Sequence, residues 1–292
     1  MTSAGPHSIG FAARNALYDG TLEKLVVPFE SQFVTTRFGK THLITAGLDN
    51  PESIFVLHGA ASSAAACWPL INGLAKTHRV YAIDIPRHLG KTEPFRLSPR
   101  RDDYALWLID ILDHFAIDRA HFIGFSFGGW VTLKLAAVAD ERISKAVLIS
   151  PVGVVNFRLT YLLRAPILLL KALLYPSGRS LNGLARLVAG PSAPQSFVDE
   201  IADAGRVFIQ NFHMPATPVR PSRQDLQKHQ SQTLVLLGQH DSFCEPNAVL
   251  SRLNANLPDG RVEIIPDAGH ALIYEHAALV NARILKFLNP GM

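Results

Sequence analysis

A serine between two glycines offers the strongest chemical signal in this chain. The run Gly-Phe-Ser-Phe-Gly spans residues 124–128, with the serine at position 126. Apolar residues 120–124 predict a strand before Ser126, and residues 130–138 predict a helix after it. A GxSxG run in this strand–turn–helix context is typical of a strained turn that exposes a nucleophilic hydroxyl. We therefore predict Ser126 as a nucleophile, the alternative being a glycine-rich turn with a capping serine.

A serine hydroxyl needs a base within hydrogen-bond reach, and histidine has a suitable pKa. Twelve histidines compete for this role. His270 follows the run Asp-Ala-Gly between a predicted strand at residues 261–265 and a closing helix at residues 274–288. A loop there reaches the carboxyl edge of the sheet, so we predict His270 as the base. His276 and His240 are the rivals.

The third member of a triad is a carboxylate that orients the histidine. Asp241 ends the run Gly-Gln-His-Asp after the apolar strand at residues 233–237, again at the carboxyl edge. The order Ser126, Asp241, His270 is the chain order of a nucleophile-elbow hydrolase. Competing carboxylates are Asp267, Glu245 and Asp225. Asp84, which follows another strand, is interpreted as structural.

A tetrahedral intermediate also needs two N–H donors aimed at its oxyanion. One donor is expected from the residue after the nucleophile, which is Phe127. The second is expected from the loop after the first buried strand, where the run His-Gly-Ala makes Ala60 the best candidate. His58 in that run is expected to brace the loop and to border the pocket.

Strands that alternate with helices must position these residues. Residues 33–37 and 41–46 predict a hairpin, and continuous apolar runs at residues 53–57, 80–83, 120–124 and 144–149 predict strands covered on both faces. Helical patterns lie at residues 62–76, 104–115, 130–138 and 247–256. This alternation predicts an α/β fold with a mostly parallel central sheet flanked by helices.

The alternation stops after residue 151 and returns only at residues 233–237. Within this interval we predict a helical cap at residues 154–221, inserted into a core of residues 1–153 and 222–292. A cap rich in large apolar residues should line an apolar substrate pocket. Packing between cap and core is the alternative role of each such residue. The candidates for the pocket, besides His58, are Leu159, Leu162, Leu163, Phe208 and Phe212.

Composition excludes several classes of protein. With 48% hydrophobic and 18% charged residues, the chain is expected to be globular, and its net charge of +4 is scattered, which disfavours nucleic acid as a partner. Residues 1–19 lack the pattern of a secretory signal, so a cytoplasmic location is expected. The apolar stretch at residues 159–175 is interrupted by charges and a proline, so stable membrane insertion is not expected. A homodimer is compatible with the sequence.

Together these motifs resemble the α/β-hydrolase superfamily from about residue 33 to residue 288. Within it, the runs at residues 58–63, 124–129, 237–241 and 267–270 look like bacterial carboxylesterases of the naproxen-esterase type. The resemblance implies the triad and the oxyanion donors named above. One departure is the loop at residues 84–92, where many relatives carry D-x-P-G-x-G-x-S and this chain has Arg87, Leu89 and Lys91.

The expected activity is hydrolysis of a small-molecule carboxylic ester through an acyl-enzyme, with no cofactor and no metal. A triad of this kind also runs the hydrolysis of carbon–carbon bonds, lactones and thioesters, so these reactions stay open. A non-catalytic small-molecule binding protein or sensor is the alternative from another class. Serine in place of aspartate at position 126 argues against dehalogenase or epoxide hydrolase chemistry.

Overall fold

The computed structural model describes residues 6–175, 177–191, 193–210 and 216–289, with the backbone alone described for residues 6–11. Within these ranges eight strands form one sheet. They are β1 (Phe29–Thr36), β2 (Gly39–Ala46), β3 (Ser53–Leu57), β4 (Arg79–Ile83), β5 (Ala120–Phe125), β6 (Ile143–Ile149), β7 (Thr233–Gly238) and β8 (Gly260–Ile265).

The strand order is β1-β2-β4-β3-β5-β6-β7-β8. The β1–β2 hairpin is antiparallel, β2 pairs antiparallel with β4, and every other pair is parallel. The central strands are continuous apolar runs because helices cover both faces of a parallel sheet. Because β3, β5 and β7 run in the same direction, their carboxyl ends lie along one edge of the sheet.

Eleven α-helices occur in the described ranges, and they surround the sheet or stand above its carboxyl edge. They are α1 (Pro6–Leu22), α2 (Trp68–Leu74), α3 (Asp103–His114), α4 (Phe127–Ala139), α5 (Leu159–Leu174), α6 (Gly178–Ala185), α7 (Gln195–Gln210), α8 (Arg223–Lys228), α9 (Pro246–Asn254), α10 (Leu272–Glu275) and α11 (Ala277–Leu288).

Two apolar layers hold the helices on the sheet. One layer joins α1, α2, α10 and α11 to one face, for example through Leu70 and Ile284. The other joins α3, α4, α8 and α9 to the opposite face, with Trp107 and Trp130 among its fully buried side chains. The predicted α/β class, with a mostly parallel sheet flanked by helices, is confirmed.

Several boundaries differ from the sequence prediction. The helix α1 was not predicted, although its Tyr18 is only 2% exposed. The hairpin begins earlier, at Phe29. The helix expected from residue 62 begins at Trp68 after a short 3₁₀ turn, and α4 begins at Phe127, directly after the elbow serine. Backbone geometry at these turns determines where each helix begins, and the apolar periodicity of the sequence does not reveal that geometry.

Three helices, α5, α6 and α7, lie between β6 and β7 in the chain. They share a small core of mostly small side chains: Ala172, Leu181, Ala185, Ala189, Ala193, Val198 and Ala202. No helix in the described part of the chain is long and apolar enough to cross a membrane.

Candidate active site

Ser126 stands on a strained turn between β5 and α4. Its φ of 54° and ψ of −110° are unusual for a residue with a side chain. The turn requires the glycines beside it, because a Cβ at position 124 would lie 2.4 Å from the carbonyl oxygen of Gly128. A Cβ at position 128 would lie 2.1 Å from the carbonyl oxygen of Leu57. Close backbone packing thus holds the serine at the carboxyl edge of the sheet.

The three predicted triad residues form one chain of hydrogen bonds. The distance from Ser126 Oγ to His270 Nε2 is 2.8 Å, and that from His270 Nδ1 to Asp241 Oδ2 is 2.8 Å. All three residues are buried, at 6%, 3% and 3% exposure for Ser126, Asp241 and His270. When His270 Nδ1 donates to the carboxylate, Nε2 is left to accept the serine proton. This is the geometry of an activated serine nucleophile.

Phe243 supports this chain and was missed by the sequence analysis. Its backbone N–H donates to Asp241 Oδ1 at 2.8 Å, and its ring stacks on His270 at 4.1 Å between centroids. On its other side lies Tyr161 of α5, stacked at 4.5 Å. An aromatic residue two positions after the acid was the available signal, but sequence does not tell which ring it meets.

The rival residues lie elsewhere. Glu245 pairs with Arg158 at 3.2 Å, and Asp225 caps α8 through a reciprocal bond with Ser222. His240 is half exposed and 3.9 Å from Asp267, which adopts a φ of 55° in its turn. None of these rivals reaches Ser126 through a hydrogen bond in the described structure.

The predicted oxyanion donors lie on both sides of the serine. Phe127 is the first residue of α4, and the N–H groups of the first helical turn have no acceptor within the helix. The Gly59–Ala60 backbone passes beside the elbow, since a Cβ on Gly59 would lie 3.3 Å from Ser126 Cβ. The Gly59–Ala60 backbone and the start of α4 thus meet at Ser126.

Two neutral histidines brace the loop that carries Ala60. His58 Nδ1 donates to the Gly59 carbonyl at 2.7 Å, and its Nε2 accepts from Ile85 N–H at 2.9 Å. His88 Nδ1 accepts from Ala61 N–H at 3.0 Å. Burial lowers the pKa of His58, against the opposing charge of Asp84. Burial, together with the neighbouring His58, lowers the pKa of His88 well below its ordinary value.

An apolar cavity of about 340 Å³ opens beside the site. It is enclosed by the loop after β3, by α1 and by the helices α5, α6 and α7. The helix α1 contributes Leu17, Tyr18 and Thr21 to its wall, and Leu89 from the unusual loop at residues 84–92 also lines it. Glu200 is the one charged residue among the described lining residues, and it pairs with Lys24 at 2.6 Å.

The pocket predictions have mixed outcomes. Phe208 lines the cavity. Leu159, Leu162 and Leu163 do not, since they lie on the outer face of α5 and are 69%, 49% and 61% exposed. His58 was also predicted to border the pocket, but it is buried behind the loop that it braces.

The inner face of α5 meets the cavity instead through Tyr161 and Leu169. Phe212 lies outside the described residues. The described part of the chain contains no cluster of three or more His, Cys, Asp or Glu residues placed to hold a metal ion.

Comparison with known sequences decides the family. Residues 54–283 match the model described as the alpha/beta hydrolase family, which covers the sheet from β3 onward and all three members of the hydrogen-bond chain. The chain belongs to the α/β hydrolase family. Its departure at residues 84–92 includes Arg87 at a φ of 67°, a left-handed conformation that favours glycine.

Several relatives of this α/β hydrolase are named for ester hydrolysis. The uncharacterized carboxylesterase nap of Bacillus subtilis (strain 168) is 30% identical over 291 residues, covering 93% of this chain and 91% of that protein. The crystal structure of naproxen esterase (carboxylesterase NP) from Bacillus subtilis has a TM-score of 0.82 at 27% identity, covering 98% of this chain and 100% of that one. The predicted resemblance to bacterial carboxylesterases of this type is confirmed.

A further relative is named for a different bond. The 2-hydroxy-6-oxo-6-phenylhexa-2,4-dienoate hydrolase of Burkholderia cepacia is 27% identical over 293 residues, covering 94% of this chain and 99% of that protein. Membership of the family therefore leaves the scissile bond to be argued from the site.

This α/β hydrolase contains a second buried Asp–His pair. Asp84 Oδ2 lies 2.7 Å from His42 Nδ1, and His42 Nε2 lies 2.7 Å from Ser31 Oγ. Asp84 also accepts from the N–H groups of Ala64 and Lys91. Burial raises the pKa of the Asp84 carboxyl, but the hydrogen bonds and the charge of His42 outweigh it, so the pKa lies below its usual value.

Proposed function

We propose that this α/β hydrolase cleaves carboxylic esters by an acyl-enzyme mechanism. The observation that carries the proposal is the unbroken chain from Ser126 Oγ through His270 to Asp241, with 2.8 Å at each step, on a strained elbow beside an apolar cavity. The carboxylesterase names of the relatives support an ester as the substrate class.

In the first half-reaction Ser126 Oγ attacks the ester carbonyl while His270 Nε2 takes the hydroxyl proton. The N–H groups of Ala60 and Phe127 stabilise the oxyanion, and such a donor is worth about 3 kcal/mol when deleted. His270 then returns the proton to the leaving alcohol, which leaves the acyl group on Ser126. In the second half-reaction His270 activates a water that releases the acid and restores the hydroxyl.

The cavity favours a neutral ester with an apolar acyl or alcohol group. Its described lining is almost entirely aliphatic and aromatic, and Glu200 is neutralised by Lys24. We propose that residues 154–221 act as a cap over this pocket, through Tyr161, Leu169 and Phe208. A volume of about 340 Å³ accommodates a small organic ester.

Carbon–carbon bond hydrolysis is the second candidate, because the Burkholderia cepacia relative is named for a dienoate substrate and the proposed triad could run either reaction. A dienoate carries a carboxylate that needs a cationic partner in a buried site. The described cavity lining includes no Lys, Arg or His, which favours an uncharged ester. Lactones and thioesters are compatible with the same site, and a non-catalytic sensor is the alternative without turnover.

The test compares the purified protein with Ser126→Ala and with the matched control Ser31→Ala. Hydrolysis of p-nitrophenyl acetate and butyrate is measured beside 2-hydroxy-6-oxo-6-phenylhexa-2,4-dienoate, and a fluorophosphonate label is located by mass spectrometry. Turnover of the esters by the wild type and Ser31→Ala, lost in Ser126→Ala, with the label on Ser126, is expected. Faster dienoate turnover would replace the ester assignment, and absence of both turnover and label would favour the sensor.

A further inference from the structure

The outer face of α5 is strongly apolar and uncovered in the described structure. Seven large side chains on it are between 49% and 69% exposed. They are Leu159, Leu162, Leu163, Ile167, Leu170, Leu173 and Leu174. At 100° per residue these positions fall within one arc of about 140°, so they form a continuous stripe along the helix. Single exposed apolar residues are ordinary, but a stripe of seven indicates an interaction surface.

Basic residues border this stripe. Arg164 and Lys171 are exposed and lie seven residues apart, so they share one flank of the stripe. Arg179 follows in α6 and is also exposed. Residues 155–198 contain five basic residues and no acidic residue, and one of the five, Arg158, pairs with Glu245. The surface therefore combines an apolar stripe with a local excess of positive charge.

We propose that the outer face of α5 is the surface by which this protein adsorbs to anionic lipid membranes. A helix with an apolar face and flanking Lys or Arg lies in the plane of the interface, with its apolar side chains among the acyl chains. The flanking cations then meet anionic headgroups, while their aliphatic stems extend along the stripe. With 16 residues α5 is too short to span a bilayer, so the contact is peripheral.

Charge favours a lipid surface over a second copy of the chain. Two α5 stripes packed antiparallel would bring Arg164 and Lys171 of one copy toward the same residues of the other. No acidic residue within residues 155–198 is available to neutralise them. Phosphate headgroups supply the missing negative charge, and a membrane covers the whole stripe at once.

The same helix joins this surface to the active site. Its inner face contributes Tyr161 and Leu169 to the cavity, and Tyr161 stacks on Phe243, which stacks on His270. Adsorption through α5 therefore brings the cavity close to the lipid layer. Adsorption itself requires no turnover, so the proposal can fail or hold independently of the ester hydrolysis proposed above.

The experiment measures co-sedimentation of the full-length protein with large vesicles of phosphatidylcholine alone, or of phosphatidylcholine with 30% phosphatidylglycerol. One variant, Leu170→Glu with Leu174→Glu, puts charge on the stripe. A second, Arg164→Gln with Lys171→Gln, removes the flanking charge. The matched controls are Val138→Glu on α4, where Val138 is 40% exposed, and Arg261→Gln on β8. Circular dichroism and the Tm verify that each variant is folded.

We expect the wild type and both controls to sediment with the phosphatidylglycerol vesicles and much less with phosphatidylcholine alone. The glutamate variant should lose sedimentation, and the glutamine variant should bind about 25-fold more weakly, from roughly fivefold per cation. Wild-type protein that stays in the supernatant, or variants that bind as the wild type does, would overturn the proposal. A stable dimer in analytical ultracentrifugation that Leu170→Glu with Leu174→Glu dissociates, without vesicle binding, would assign the stripe to a second copy instead.

Discussion

Two serine–histidine–aspartate chains of hydrogen bonds lie in the described part of this molecule, and of these two only one has the surroundings of a reactive site. In the first, Ser126 and Asp241 are 2.8 Å from the two ring nitrogens of His270. In the second, Ser31 and Asp84 are 2.7 Å from the two ring nitrogens of His42. By distance alone the second chain is at least as well formed as the first.

The difference lies around the serines. Ser126 has a φ of 54° on a turn beside the Gly59–Ala60 backbone and the start of α4, and the cavity opens beside it. Ser31 lies within β1, an edge strand with regular pairing to β2, and its side chain is exposed. A hydroxyl–imidazole–carboxylate chain therefore does not make a nucleophile site by itself. The strained elbow, the adjacent Gly59–Ala60 backbone, the start of α4 and the apolar cavity are what distinguish Ser126.

The sharpest test of this comparison exchanges each aspartate for asparagine. Asp241→Asn should lower kcat about 10⁴-fold, because the amide holds His270 in the wrong tautomer, and it should also lower the Tm, because Asp241 accepts from the N–H groups of Phe243 and Cys244. Asp84→Asn should leave kcat within about tenfold but lower the Tm. Asp84 accepts from three donors, and each donor left unsatisfied costs about 1–3 kcal/mol.

Steady-state kinetics and thermal unfolding of both variants check this prediction. A loss of kcat in Asp84→Asn as large as that in Asp241→Asn, at unchanged Tm, would give the second chain a part in the chemistry.

The elbow supplies the next largest effect. Gly128→Ala would place a Cβ 2.1 Å from the Leu57 carbonyl oxygen, so β3 and α4 must move apart. We expect a loss of about 2–4 kcal/mol in the free energy of unfolding, together with a lower kcat, because Ser126 is two residues away. Gly20→Ala in α1 is the matched control, since nothing lies within 4 Å of its added Cβ.

Denaturant unfolding and steady-state kinetics of Gly128→Ala and Gly20→Ala test this prediction. Gly20→Ala should be neutral or stabilising by up to about 1 kcal/mol. Equal stability of Gly128→Ala and the wild type would mean that the elbow is not tightly packed.

The pH dependence of folding stability should arise in the loop that carries Ala60. The buried His88 has a lowered pKa in the folded protein, whereas in the unfolded chain it titrates near 6.5. Above about pH 6.5 His88 is neutral in both states, so its burial does not lower the free energy of unfolding. As the pH falls below that value, the free energy of unfolding decreases by at most about 1.4 kcal/mol per pH unit. In His88→Gln, whose amide oxygen can accept from Ala61 N–H, the loss should be smaller.

Urea unfolding of the wild type and His88→Gln between pH 8 and pH 5 measures the two slopes. Parallel slopes would place the acid sensitivity elsewhere in the molecule.

The smallest effect concerns backbone strain near the second chain. Arg87, three residues after Asp84, has a φ of 67°, which costs a residue with a side chain about 1–2 kcal/mol. Arg87→Gly should relieve this strain and stabilise the protein by about 0.5–1 kcal/mol after the entropy of glycine is counted, with kcat unchanged. The kcat and the Tm of this variant are measured together. A lower kcat would show that backbone strain near the Ser31–His42–Asp84 chain, and not only strain at Ser126, is coupled to activity.

Local sequence patterns were enough to find the members of the first chain. Ser126, Asp241 and His270 each follow a recognisable strand, and the carboxyl ends of parallel strands meet at one edge, so the structure brings them together. The same patterns gave no sign of Ser31 and His42, which are joined only by the register of the β1–β2 hairpin. Pairing across strands depends on register, which turn geometry decides.

The cap shows where sequence reasoning fails. In α5 apolar residues occur on nearly every side, so no periodicity tells which face turns toward the body. Leu159, Leu162 and Leu163 were therefore assigned to the pocket, although Tyr161 and Leu169 line it. The contribution of α1 was missed because α1 meets α7 of the cap only through tertiary contacts between segments that are far apart in the chain.

The position of α1 has a consequence for how substrate range could change. Its Leu17, Tyr18 and Thr21 form part of the cavity wall, yet the helix precedes the whole sheet and joins β1 through a short connection. A wall supplied by a leading segment can be exchanged by recombination at one junction, without cutting the chain between elements of the sheet. Hybrid proteins that carry the first helices of related hydrolases would therefore sample new cavity walls while keeping Ser126, Asp241 and His270 in place.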